Sequence, residues 1–180
     1  RNGTLLRAYT VEDGRWRLPV TLAEVDPEFI ELLLTYEDRR FYEHSGVDPR
    51  SLGRAFLQAL RNGRIVSGGS TITMQVARLL EDSGTGSWRG KLRQMRLALA
   101  LERQLSKDEI LTLYLHLAPY GGNIEGIRAA SFTWFGHEPQ NLTTAEAALL
   151  VALPQSPNYR RPDRYPETAL AARGRVLERA

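Results

Sequence analysis

Helix-opening signals recur along this chain and constrain its fold more than any other feature. Asp26-Pro27 and Asp48-Pro49 each place a capping acid before a proline. An aspartate side chain accepts from the free N–H groups of a first turn, and proline suits the first helical position. The first signal predicts a helix toward Tyr36, with Phe29, Ile30, Leu33 and Leu34 inward. The second predicts a helix carrying Leu52, Phe56, Leu57 and Leu60, closed near Gly63. Ser106 with Glu109 three residues on is a capping box, opening a helix through Leu115. Further helices are predicted over 71–80, 88–104, 124–132 and 144–153, with a last one from Glu167. Residues 67–70 and 81–87 are Gly/Ser-rich and read as flexible, and Gly121-Gly122 is a break. Only the start differs. Residues 4–11 alternate loosely, Asp13-Gly14 follows, and 15–20 are extended, which is a hairpin signal. The expected fold class is mainly α, about eight helices behind a small N-terminal β-hairpin.

Composition agrees with one globular domain. The chain has 180 residues, 42% hydrophobic and 25% charged, enough to bury a core and too apolar for disorder. Its longest apolar run, Ala147 to Leu153, stops at Pro154, whereas a bilayer span needs about 20 residues. The absence of cysteine excludes disulfides, zinc ribbons and thiol catalysis. There is no signal-peptide pattern at Arg1, where the chain starts abruptly, so an excised or processed domain is expected.

Charge is concentrated. The net charge is +3, but residues 39–103 alone carry +7. Lys91 and Lys107 are the only lysines among 24 basic residues. Arginine forks suit phosphates, and a basic block also suits an anionic membrane surface or nucleic acid.

Three clusters could carry chemistry. EDRRFYEHSGVDP, from Glu37 to Pro49, sets acids beside arginines, a histidine and aromatics. Burial raises and cations lower a carboxylate's pKa, so an acid here can be a tuned base or a plain solvated helix end. The lone His44 with nearby acids lacks metal-ligand spacing. SGGSTITMQ, from Ser67 to Gln75, puts glycines and hydroxyls before a helix N-terminus. That is either an anion site or an ordinary cap, and it lacks the P-loop ending. WRGKLRQMRLALALERQLSK, from Trp88, reads Leu92, Met95, Leu99 and Leu105 as a core stripe. Arg89, Lys91, Arg93 and Arg96 crowd its first half, and like charges so close repel until a polyanion joins them.

Together these segments resemble the peptidoglycan glycosyltransferase domain, glycosyltransferase family 51, of class A penicillin-binding proteins. The blocks EDRRFYEHSG, GGSTITMQVAR, GKLRQMRLALALE, KDEILTLYLHLAPYGGNIEGIRAAS and EAALLVALPQSPN occur in family order. Met74, LTLYL and DGRWRLPV are most similar to the 1C branch.

The resemblance implies a lysozyme-like, two-lobed helical fold with a central cleft. It implies residues 1–21 as a hairpin linker after a membrane anchor and 22–180 as the glycosyltransferase domain. A transmembrane helix would precede Arg1 and a transpeptidase domain would follow Ala180. The implied reaction polymerises lipid II into a growing lipid-linked glycan, with inversion and release of undecaprenyl pyrophosphate. The implied setting is the periplasmic face of the bacterial inner membrane, with no nucleic acid partner. By the same resemblance Glu37 is the general base, and Asp38, Phe41, His44 and Gly46 shape its surroundings. Ser70, Thr71, Thr73, Gln75 and Arg78 line the cleft, Arg78 standing where many relatives carry lysine. Lys91 and Arg93 face the pyrophosphate, where a divalent cation (Mg or Mn) could assist; no protein metal site is implied. Phe56, Leu57, Leu60 and Ile65 could touch lipid or pack in the core.

Two positions depart from the family pattern. Gln94 stands where most relatives have a second catalytic glutamate, and it cannot carry charge. Glu102 lies two turns away, roughly 12 Å along a helix axis, too far to replace it. His116 stands where asparagine is usual. Two alternatives stay open: a catalytically weak lipid II-binding module, and a lysozyme-like glycosidase.

Overall fold

The computed structural model describes residues 10–62, 69–81 and 88–179. The described residues form eight α-helices and three short strands. In chain order these are β1 (Trp16–Arg17), α1 (Pro27–Glu37), α2 (Pro49–Asn62), α3 (Ile72–Leu80) and α4 (Trp88–Leu101). There follow α5 (Lys107–Leu117), β2 (Pro119–Gly121), β3 (Ile124–Glu125), α6 (Ile127–Phe135), α7 (Thr144–Ala152) and α8 (Pro166–Leu177). The mainly α class expected from the capping signals is what the chain adopts. It divides into two compact units, residues 1–32 with 115–180, and residues 33–114.

In the first unit the strands take the order β1-β3-β2. The Asp13-Gly14 turn forms, with Val11 N–H donating to Arg15 O at 2.8 Å. Residues 4–9, the first arm of the expected hairpin, lie outside the described residues. The second arm, β1, runs parallel to β3, with Trp16 opposite Ile124 and Arg17 opposite Glu125. The buried Glu125 carboxylate holds it there, pairing with Arg17 and accepting from Arg15 Nη1 at 2.7 Å. Residues 119–125, where the sequence predicted a break and then a helix start, make an antiparallel pair, and α6 begins three residues later than expected. The apolar run of α7 is core: Ala147, Ala148, Leu150 and Val151 are buried, as are Ala169, Ala172 and Val176 of α8. Small alanine faces let these two helices approach closely. Thr143 and Glu146 cap α7 reciprocally.

His116, at the end of α5, also ties this unit together. Its Nε2 accepts from Val20 N–H at 2.9 Å, so that nitrogen must be unprotonated. Burial, and then the nearby Arg17 charge, hold the imidazole pKa below its usual value. The folded state therefore binds the proton less readily than the unfolded chain. His116 contributes its stability above pH ~6.5, and that contribution is lost as pH falls below it. Thermal melts between pH 8 and 5 should show a fall in Tm that His116→Asn reduces; identical pH profiles would refute this.

In the second unit α3 is the central helix, with Ile72, Thr73, Met74, Val76 and Ala77 all buried. The face α4 buries is Gln94 and Ala98. This corrects the expected Leu92–Met95–Leu99 stripe: Leu92 and Leu99 are exposed and Met95 half-buried. The reason is close backbone approach, since Ala98 O lies beside Gly46 and leaves no room for a large side chain. In α1, likewise, Leu32 joins Phe29 and Leu33 as buried, while Ile30 and Leu34 are half-buried. Leu57 is exposed, and the side chains of Phe56, Leu60 and Ile65 lie outside the described residues.

Candidate active site

All thirteen candidate residues fall in the 33–114 unit. Glu37 closes α1, and the Asp38 that follows it is buried. Asp38 Oδ2 accepts from Ile72 N–H, the first helical residue of α3, at 2.9 Å. A carboxylate at that end answers the free N–H groups and the positive end of the helix dipole. Both Asp38 oxygens lie 3.0 Å from His44 Nε2. His44 Nδ1 accepts from Gly46 N–H at 3.1 Å, which assigns the ring proton to Nε2, donating to Asp38. Thr71 Oγ1 then donates to Gly46 O at 2.6 Å and accepts from Met74 N–H at 3.1 Å, capping α3. The loop from Asp38 to Gly46 is thus stitched to the N-terminus of α3. That leaves the Glu37 position few ways to move.

Phe41 is buried beneath the loop, edge-on to Tyr42 and His44. Lys107 Nζ sits 4.5 Å from its ring centroid, a cation–π contact. The same Nζ donates to Glu102 Oε1 at 2.6 Å, and Thr73 Oγ1 donates to that oxygen at 2.7 Å. Glu102 is therefore committed to holding α3, α4 and α5 together. Thr73 is fully buried with its hydroxyl spent on Glu102.

The Glu37 carboxylate is half-buried, and Gln75 Nε2 donates to its Oε2 at 2.9 Å. Gln75 is one turn into α3, and Arg78 is three residues further on the same face. A cationic group lies beside it. Lys91 is half-buried and donates to Ser70 Oγ. Burial, and then the Arg78 charge, push the Lys91 ammonium below the usual lysine range. Two cations that repel each other this closely are relieved by an anion, and a phosphate brings the acceptor oxygens they need. Gln94 follows Lys91 by one turn on the buried face of α4. Arg93 is the outlier, with a largely exposed side chain whose Nε donates to Glu81 Oε1 at 2.8 Å. Gln75 on α3 thus holds the Glu37 carboxylate of α1, and Ser70, just before α3, holds Lys91 of α4.

The sequence reading missed Glu81 and Lys107. The composition of 81–87 places Glu81 in a flexible stretch, whereas it forms the C-cap of α3. Its spacing of three from Arg78, which makes the two neighbours on the helix surface, was the available signal.

Comparisons with known proteins identify the family. The transglycosylase family matches residues 2–180. Penicillin-binding protein 1C of Escherichia coli is 54% identical over 99% of this chain, which covers 23% of that protein. Penicillin-binding protein 1A of Pseudomonas aeruginosa is 41% identical over 97% of the chain and 22% of its own length. The crystal structure of penicillin-binding protein 1A from Haemophilus influenzae superposes with a TM-score of 0.50 at 21% identity. That match covers 94% of this chain and 17% of the other, and it supports the lysozyme-like fold. The chain belongs to the transglycosylase family. Within it, the chain is similar to the 1C type of class A penicillin-binding protein. It spans less than a quarter of the length of these curated relatives.

Proposed function

We propose that this peptidoglycan glycosyltransferase domain polymerises lipid II. The observation that carries the reading is the Glu37 carboxylate, held by Gln75 on α3, the helix that also bears Arg78, with Lys91 held by Ser70 just before that helix. The 4-hydroxyl of an acceptor N-acetylglucosamine attacks the anomeric carbon of the lipid-linked donor. Glu37 takes the hydroxyl proton as the new O4–C1 bond forms. The C1–O bond to the diphosphate breaks, and undecaprenyl pyrophosphate leaves with the electron pair. A single displacement of this kind inverts the anomeric centre. Arg78, Lys91 and Ser70 meet the charge that develops on the leaving diphosphate, the largest electrostatic demand of the step. Asp38, Phe41, His44, Gly46 and Thr71 hold Glu37 in place, and Gln94 lies beside Lys91.

A divalent cation is proposed to travel with the diphosphate rather than to reside in the protein. Among the described residues no group of three or more His, Cys, Asp or Glu could hold one. The same reading places the domain at the outer face of the inner membrane, anchored and followed by a transpeptidase through parts of the protein outside this chain. No helix among the described residues is long and apolar enough to cross a membrane. A lysozyme-like glycosidase would have no use for the Lys91–Arg78 pair.

One observation favours a second reading. Gln94 is buried and uncharged where a second acid would be needed, which suits a domain that binds lipid II without polymerising it. Incubating the full-length protein with labelled lipid II and Mg separates the two. Glycan from the wild type, changed less than about fivefold by Gln94→Glu, supports polymerisation with Gln94 as a tolerated variant. A silent wild type that Gln94→Glu activates would establish the binding module instead.

A further inference from the structure

Glu81 is the one charged group on the working face of α3 that the mechanism above does not use. It forms the C-cap of α3, three residues past Arg78. Its side chain is only 18% exposed, while that of its partner Arg93 is 71% exposed. Oε1 accepts from Arg93 Nε at 2.8 Å. Oε2 is buried and has no hydrogen-bond partner among the described residues. A carboxylate in that condition is poor for stability. An orphaned buried acceptor costs free energy, and an apolar side chain of similar size would avoid the loss. An exposed arginine on the rim offers little in return. The placement therefore calls for another reason than folding.

The bond itself supplies one. Arginine carries five N–H donors in a rigid fork, and a contact through Nε leaves both Nη groups available for a bidentate anion. Arg93 makes no other hydrogen bond to a described residue. An arginine free in solvent loses much side-chain freedom when it binds, and fixing it beforehand lowers that cost. We infer that Glu81 is a positioning residue for the lipid diphosphate. It holds Arg93 by Nε across α3 and α4, so that the two Nη groups meet the phosphate oxygens. The acid on α3 thereby serves the diphosphate end of the site, to which Gln94 on α4 brings no charge. The inference rests on the lipid II reading above.

The test uses the full-length protein in detergent micelles with fluorescent lipid II, following both polymerisation and binding anisotropy. Glu81→Gln should raise KM and the dissociation constant about tenfold, with kcat within twofold, because a uniform binding contact is weakened. Glu81→Asp should recover most of the loss. Glu81→Gln combined with Arg93→Ala should be no worse than Arg93→Ala alone. Glu81→Leu should weaken binding equally while leaving Tm unchanged or raised, which a purely structural role would not do. Unchanged KM and binding in Glu81→Gln overturn the inference. So does an effect additive with Arg93→Ala, or one that follows a fall in Tm. A wild type that binds lipid II without polymerising it overturns the proposed function alone, and the anisotropy contrasts still decide the role of Glu81. A wild type that does not bind lipid II overturns both.

Discussion

Replacing Glu37 with glutamine is expected to lower lipid II turnover by about 10²–10⁴-fold while leaving lipid II binding within about threefold. The amide is isosteric, and its oxygen can still accept from Gln75 Nε2, which now donates at 2.9 Å to the carboxylate. The loop behind it is anchored through Asp38, His44 and Thr71, none of which needs the charge on Glu37. What is lost is the capacity to take a proton from the acceptor hydroxyl. Single-turnover polymerisation with radiolabelled lipid II, alongside binding by anisotropy, separates the two quantities. Turnover within tenfold of wild type would remove Glu37 as the base. A binding loss equal to the rate loss would make it a contact residue instead.

The parts of this molecule that were legible in the sequence are those decided locally. Asp-Pro pairs and the Ser106–Glu109 box act within a few residues, so the starts of α1, α2 and α5 were readable. The pairing of β1 with β3 joins residues more than a hundred positions apart, and no local signal encodes it. The buried face of α4 was misread for a related reason. Hydrophobicity pointed to Leu92 and Leu99, but the available space selected Ala98 and Gln94, because the Gly46 backbone comes up against that helix. At the site, residue types and their order brought Glu37, Gln75, Arg78 and Lys91 to notice as members of a family pattern. Which partner each would take was not readable. Thr73 serves Glu102, Lys107 covers Phe41, and Glu81 reaches across to Arg93. Those pairings depend on how α3, α4 and α5 pack, which is a property of the folded unit and not of any window of sequence.

The largest stability effect is expected at Gly46. Its φ is +91°, a backbone conformation that costs a non-glycine residue about 1–3 kcal/mol. A Cβ there would also stand 2.7 Å from Ala98 O and 2.9 Å from Ala98 C. Those are backbone atoms of α4 and cannot rotate aside. Relief requires the loop to lift from α4, which strains the 2.6 Å bond from Thr71 Oγ1 to Gly46 O and the His44 contact at Gly46 N–H. Gly46→Ala should therefore destabilise the domain by roughly 3–5 kcal/mol, a fall in Tm of about 10 °C or more. Gly14→Ala is the matched control. Its φ is +75°, but nothing lies within 4 Å of a Cβ at that position, so only the backbone strain of about 1–3 kcal/mol applies. Denaturant titration and thermal melts of the two variants isolate the clash as the difference between them. Equal losses would show that the α4 backbone yields and that the loop is not held as tightly as its bonds require. A much larger loss at Gly46, with turnover falling beyond what the unfolded fraction explains, would tie the seating of this loop on α4 to the position of Glu37 at its other end.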